Sequence, residues 1–100
     1  MRQQLISPSV LPSRVSELNH WTNVESVLHK RFAFKTFAES IAFVNELAQY
    51  AEELDHHPDI DIRFNVVALT LSTHDSGGVT DLDIQMAQYA DSIESRLPAQ

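Results

Sequence analysis

Between residues 36 and 58 the chain declares both ends of one long helix, and that helix constrains everything around it. Thr36-Phe37-Ala38-Glu39 has the Ser/Thr-x-x-Glu form of a capping box, in which each side chain satisfies a backbone N–H left over at the helix start. Behind it Phe37, Ile41, Val44, Ala48 and Ala51 recur at spacings of three and four, and Leu47 and Leu54 widen the stripe. The spacing predicts an amphipathic helix over 37–55. Pro58 ends it, because proline disfavours helical geometry in the residue before it. A helix with one apolar stripe must bury that stripe against another layer.

The flanking segments supply that layer. Leu28, Phe32 and Phe34 alternate with His29, Arg31 and Ala33, which predicts a strand over 27–34 with one buried face, following a β region opened by Trp21. Ile60, Ile62 and Phe64 alternate with Asp59, Asp61 and Arg63, and then Val67, Leu69 and Leu71 with Ala68, Thr70 and Ser72. These are two strands, or one bent strand, with the break near Asn65. Gly77-Gly78 marks a turn. Thr80-x-x-Asp83 resembles a capping box with Asp in place of Glu, and Leu82, Met86, Tyr89, Ile93 and Leu97 form a second helical stripe. Upstream, Leu11, Val15 and Leu18 share a helical face behind Pro12, while Met1 to Ser9 is polar and expected to fray, leaving 1–10 flexible. The order is helix, two strands, helix, two strands, helix. Short connections favour an antiparallel sheet, so the expected fold is α+β: a two-layer sandwich with three helices on one face of a four-stranded antiparallel sheet.

One hundred residues make a single domain, 1–100, and 43% hydrophobic with 21% charged residues is a globular composition. No apolar run approaches the ~20 residues that span a bilayer, and Met1–Pro12 lacks a signal peptide's long apolar stretch. A cytoplasmic location is the default expectation. The absence of cysteine removes disulfides, thiol nucleophiles and Cys-zinc sites, and suits a reducing compartment. A formal charge of −7 argues against nucleic-acid binding, which needs clustered Lys and Arg. The densest basic cluster, His29-Lys30-Arg31 with Lys35, reads as a solvated strand face, with a local patch for an anionic small molecule as the other reading.

Three of the five histidines fall in one run. Glu52-x3-His56-His57-Pro58 closes the long helix, and His74 ends a strand before Asp83. Imidazole titrates near neutrality, so histidines gathered with carboxylates suggest acid–base chemistry. Glu52 precedes His56 by four residues and Glu53 precedes His57 by four, so each acid is placed to orient a ring. Each residue also has a plainer reading. The histidines can simply favour a helix C-terminus, Asp83 a helix N-terminus, and Asp59-x-Asp61 the solvent side of a strand. A metal is disfavoured, because there is no H-x-x-x-H pair and no cysteine.

The run Glu52 to Asn65, continued through Thr70-Leu71-Ser72-Thr73-His74 to Asp83, resembles the pterin-4a-carbinolamine dehydratases. The family spacing is filled by Glu52, His56, His57, Pro58, Phe64, His74 and Asp83, and Trp21 and Arg31 to Phe37 also look familial. His20 departs from it, since many members carry Gly before the Trp. The resemblance implies the α-β-β-α-β-β-α sandwich and the dehydration of 4a-hydroxytetrahydrobiopterin to quinonoid dihydropterin, with no cofactor and no metal. It implies His56, His57 and His74 as catalytic residues, with His56 and His74 as the proton-transfer pair. Asp83 would steady a histidine or, with Glu52, bind the pterin. It further implies a homodimer or homotetramer without direct nucleic-acid or membrane contact. The alternative is a non-catalytic dimerisation or assembly partner of another protein, as some relatives are.

Overall fold

The computed structural model describes residues 3–97. Four strands and three helices follow in the expected order: α1 (Leu11–Ser16), β1 (Thr22–Val24), β2 (Val27–Ala33), α2 (Phe37–Leu54), β3 (Asp59–Arg63), β4 (Val66–Leu71) and α3 (Asp81–Arg96). All strand pairs are antiparallel, in the spatial order β1-β2-β4-β3. The two central strands, β2 and β4, run from Leu28↔Leu71 to Ala33↔Val66. The α+β sandwich read from the sequence is therefore the fold.

The connections explain the register. Glu25 and Ser26 link β1 to β2 with φ of 52° and 65°. Such left-handed two-residue links match the twist of a hairpin, though neither residue is a usual turn former. Phe64, at φ 53°, and Asn65 link β3 to β4, placing the break where the alternation changes phase. His20 also lies at φ 65°, the left-handed conformation that favours glycine, the residue that the resemblance leads one to expect before Trp21.

Alternation sends Leu28, Phe32, Val67, Leu69 and Leu71 to the helical side, where all are buried. Phe43 of α2 meets Phe32 and Phe34 with ring centroids 4.7 and 5.0 Å apart. Truncating a ring so placed costs about 3–5 kcal/mol. Phe43 also sets the rotation of α2. Its buried residues are Ser40, Phe43, Leu47 and Ala51, whereas Phe37 is half exposed and Ala48 is exposed. The expected stripe is thus turned, because Phe43, held between Phe32 and Phe34, takes the centre of the core. Tyr50 of α2 stacks on Tyr89 of α3 at 4.1 Å, joining the two long helices.

One expectation is corrected. Lys30 is not part of a solvated face: it shares the inward side with Leu28 and Phe32 and is 5% exposed. Its Nζ lies 2.8 Å from Asp91 Oδ1 and 2.9 Å from Glu94, and Trp21 Nε1 donates to the same Asp91 oxygen, 2.9 Å away. A buried cation requires such partners. The segment expected to fray makes contacts with the residues around the start of α3. Ser76 Oγ donates to the Gln3 carbonyl, Leu5 bridges Thr80, and Ile6 N–H donates to Val79 at 3.0 Å. Met1 and Arg2 lie outside the described residues.

Candidate active site

The site is built where α2 ends, β4 ends and α3 begins. Asp55 caps α2 in the left-handed conformation (φ 52°, ψ 45°), which a short polar side chain tolerates. His56 N–H still reaches back to the Ala51 carbonyl at 3.1 Å, and the chain then leaves the helix toward Pro58. That departure lets two adjacent imidazoles line one cavity, where a continuing helix would point them about 100° apart. At the other side, β4 ends at Leu71, Ser72 and Thr73 follow, and His74 opens a single 3-10 turn ended by Gly77 at φ 81°.

His56 is the better anchored ring. Its Nε2 lies 2.6 Å from Asp83 Oδ1, with the His56 side chain 11% exposed and Asp83 fully buried. With Asp83 ionised, its carboxylate only accepts, so Nε2 is the donor in this bond, and in the neutral ring Nδ1 is then the nitrogen with the lone pair. The second oxygen of Asp83 does separate work. Oδ2 accepts from Thr80 N–H at 2.8 Å and from Thr73 Oγ1 at 2.8 Å. Thr80 Oγ1 in turn lies 2.7 Å from Thr73 Oγ1 and accepts from Leu82 N–H. Helix capping and histidine orientation were alternatives in the sequence. In the structure one carboxylate does both, one oxygen each.

His57 is held differently. Its Nε2 lies 2.5 Å from Glu52 Oε2, but the side chains are 57% and 76% exposed. The sequence spacing paired Glu52 with His56 and Glu53 with His57; the left-handed Asp55 shifts the pairing by one residue, so Glu52 reaches His57 and Asp83 takes His56. His74 is exposed, and its imidazole has no hydrogen bond or ion pair among the described residues.

His56, His57 and His74 line one open cavity of about 300 Å³ with Asp55, Ser72, Thr73 and Asp75. Glu52 and Asp83 stand behind its histidines and do not line it, and Phe64 sits at the β3–β4 turn outside it. Of the two roles the resemblance allows Asp83, steadying a histidine is the one that fits a carboxylate with no exposed surface. Among the described residues no three His, Asp or Glu side chains are grouped to hold a metal ion. Thr73 was not singled out from the sequence for its hydroxyl. Its signal was there: it extends the inward series Val67, Leu69, Leu71 with a polar residue, which must find a buried partner.

The comparisons with known proteins point the same way. The family model described as pterin 4 alpha carbinolamine dehydratase matches residues 4–93. A Nostoc sp. protein with the provisional name pterin-4-alpha-carbinolamine dehydratase is 48% identical over 90% of this chain and 97% of its own length. A Sulfolobus acidocaldarius protein of the same provisional name is 42% identical over 81% of this chain and 89% of its own. The crystal structure of a transcriptional coactivator/pterin dehydratase from Brucella melitensis superposes with a TM-score of 0.87 at 36% identity, covering 89% of this chain and 97% of that one. A pterin dehydratase-like protein identified as a RuBisCO assembly factor in the alpha-carboxysome is more distant. It matches at TM-score 0.62 and 29% identity, over 75% of this chain and 87% of its own.

Proposed function

This chain belongs to the pterin 4 alpha carbinolamine dehydratase family, whose named activity is that of a hydro-lyase, and from that premise we propose that it dehydrates 4a-hydroxytetrahydrobiopterin. The product is quinonoid dihydropterin, and the reaction recycles the pterin cofactor of aromatic amino-acid hydroxylases. The observation that carries this reading is the cavity lined by His56, His57 and His74, with Asp83 locked behind His56.

The chemistry follows from the two nitrogens of His56. The C4a–O bond breaks as the N5 lone pair forms the C4a=N5 double bond. The departing hydroxyl takes a proton and leaves as water, and the N5 proton goes to a base. His56 is that base: Nδ1 is free to receive the proton, while Asp83 holds the ring and offsets the charge that develops. His74, free of other partners, is the acid at the hydroxyl. His57, held by Glu52 at the rim, orients the pterin. Positioned acid and base groups each contribute about 10²–10⁴-fold, enough without a redox cofactor. His56, His57 and His74 are thus the catalytic set, Glu52 and Asp83 the carboxylates that position it.

The chain works as a homodimer or homotetramer in the cytoplasm. In support of assembly, β3 is an edge strand with open backbone groups, and its Ile60 and Ile62 remain more than a third exposed. Among the described residues no helix is long and apolar enough to cross a membrane.

The test is the decay of 4a-hydroxytetrahydropterin, followed by ultraviolet absorbance, with wild type, His57→Ala and His74→Ala. Acceleration by wild type that weakens in both variants is the expected result. A folded wild type that does not outpace buffer sinks the enzyme reading. It would favour the second one, a non-catalytic assembly partner, which the likeness to the RuBisCO assembly factor supports.

A further inference from the structure

The side of the sheet away from the helices carries a second cavity, of about 290 Å³, which shares no residue with the histidine cavity. It is lined by His29 and Arg31 of β2, Val66 and Ala68 of β4, and Asp61 and Arg63 of β3. The register explains its shape. Arg31, Ala68 and Asp61 stand in one row across the three strands, so a methyl group lies between two long walls. Neighbouring strands are ~4.8 Å apart, which leaves roughly 10 Å between the walls, a gap that arginine side chains can span from both sides.

Charge makes the trough unusual in this molecule. The chain has seven Lys and Arg against fourteen Asp and Glu. Arg14, Lys30 and Arg96 are each committed to an acid. The Arg31 guanidinium has no hydrogen bond or ion pair among the described residues. Arg63 engages Asp61 through Nε alone, at 3.2 Å, so both of its Nη groups are available. His29 bonds Thr70 through Nδ1 at 3.2 Å and keeps Nε2 open. Two guanidinium groups and an imidazole thus face one concave site of an otherwise acidic surface, which focuses positive potential there.

We propose that this trough binds a small molecule bearing a phosphoryl group. His29 and Arg31 stand two residues apart on the β2 wall and Arg63 on the β3 wall opposite, so three separate donor groups face the trough, which suits the three terminal oxygens of a phosphoryl group better than the two of a planar carboxylate. The site lies near the lower end of the ~300–1,000 Å³ typical of small-molecule pockets. It has room for an organic group over Val66 and Ala68, and Asp61 accepts a hydrogen bond from it.

The test uses the intact protein and phenyl phosphate as probe, with benzoate as the carboxylate counterpart and phosphatidic acid vesicles as the lipid counterpart. Amide NMR should show saturable shifts at Arg31 and Ala68 with phenyl phosphate below about 10 mM, the weak end of small-ligand affinity. Benzoate should bind at least about tenfold more weakly. Arg31→Ala should weaken phenyl phosphate about tenfold and Ala68→Leu should block it by filling the floor, with pterin dehydration unchanged in both. Absent or non-saturating shifts, shifts equal in Arg31→Ala, or benzoate binding as well as phenyl phosphate would each overturn the proposal. Vesicle binding that depends on Arg31 would overturn it too, by assigning the trough to a lipid surface.

Discussion

Two imidazole–carboxylate pairs stand side by side at the end of α2, and their bond lengths barely differ: 2.6 Å for His56–Asp83 and 2.5 Å for His57–Glu52. Their surroundings differ completely. Asp83 is fully buried and accepts from Thr73 and Thr80 besides, whereas the Glu52 carboxylate has one partner among the described residues and its side chain is 76% exposed. A long exposed carboxylate loses rotamer freedom to hold its partner and is screened by salt, so such pairs contribute little. A short buried one, already fixed by a helix cap, has no competing water. Distance alone therefore does not rank these histidines; burial and the number of committed hydrogen bonds do.

The sharpest way to break this comparison is at the buried pair. His56→Ala should lower turnover by about 10²–10⁴-fold, as loss of an acid–base group does. Asp83→Asn tests the same ring without removing it. To keep its carbonyl on the Thr73 and Thr80 donors, the amide must turn its NH₂ toward His56, which then has to accept at Nε2 and carry its proton on Nδ1. Turnover should fall on the order of 10²-fold with KM little changed. Steady-state kinetics checks both, and an active Asp83→Asn would mean that His56 is not the base.

His57→Ala comes next. Turnover should drop about tenfold or more, while the unfolding free energy stays within about 0.5 kcal/mol, as for most exposed sites. Equal loss of fold and activity in denaturant titrations would give His57 a structural role instead. Thr73→Val removes one donor from Asp83 and leaves the Thr80 hydroxyl without its acceptor, at a cost of about 1–3 kcal/mol. Turnover should fall a further severalfold, and Thr73→Ser should restore both quantities. The smallest effect belongs to Glu52→Gln, about twofold in turnover and absent in 1 M NaCl, where the Debye length is ~3 Å. If it rivalled Asp83→Asn, burial would not be what separates the pairs.

The long-range outline of the molecule was legible in its residues. Local signals set α2 and α3 through the capping threonines Thr36 and Thr80, with a full capping box at α3 alone, β2, β3 and β4 through alternation, and the helix stop through Pro58. The hairpin at Glu25-Ser26 was not legible, because neither residue advertises positive φ. Nor was the burial of Lys30, whose basic neighbours disguised its inward position. The candidate site shows the same division. His56, His57 and His74 line one cavity as a group, but Glu52 was paired with His56 and reaches His57 instead, while His56 takes Asp83.

What the sequence by itself determined is periodicity and termini: where helices and strands begin, which side of each strand is apolar, and which side chains cluster near the end of α2. These are short-range properties, set by steric limits and backbone hydrogen bonding within a few residues. Only the tertiary structure decided which face of α2 centres on the core, that Asp55 turns left-handed, and that Asp83 divides its two oxygens between a helix cap and His56. Those choices depend on residues 27 positions apart in the chain competing for the same buried space. No pattern along the chain records the outcome of that competition.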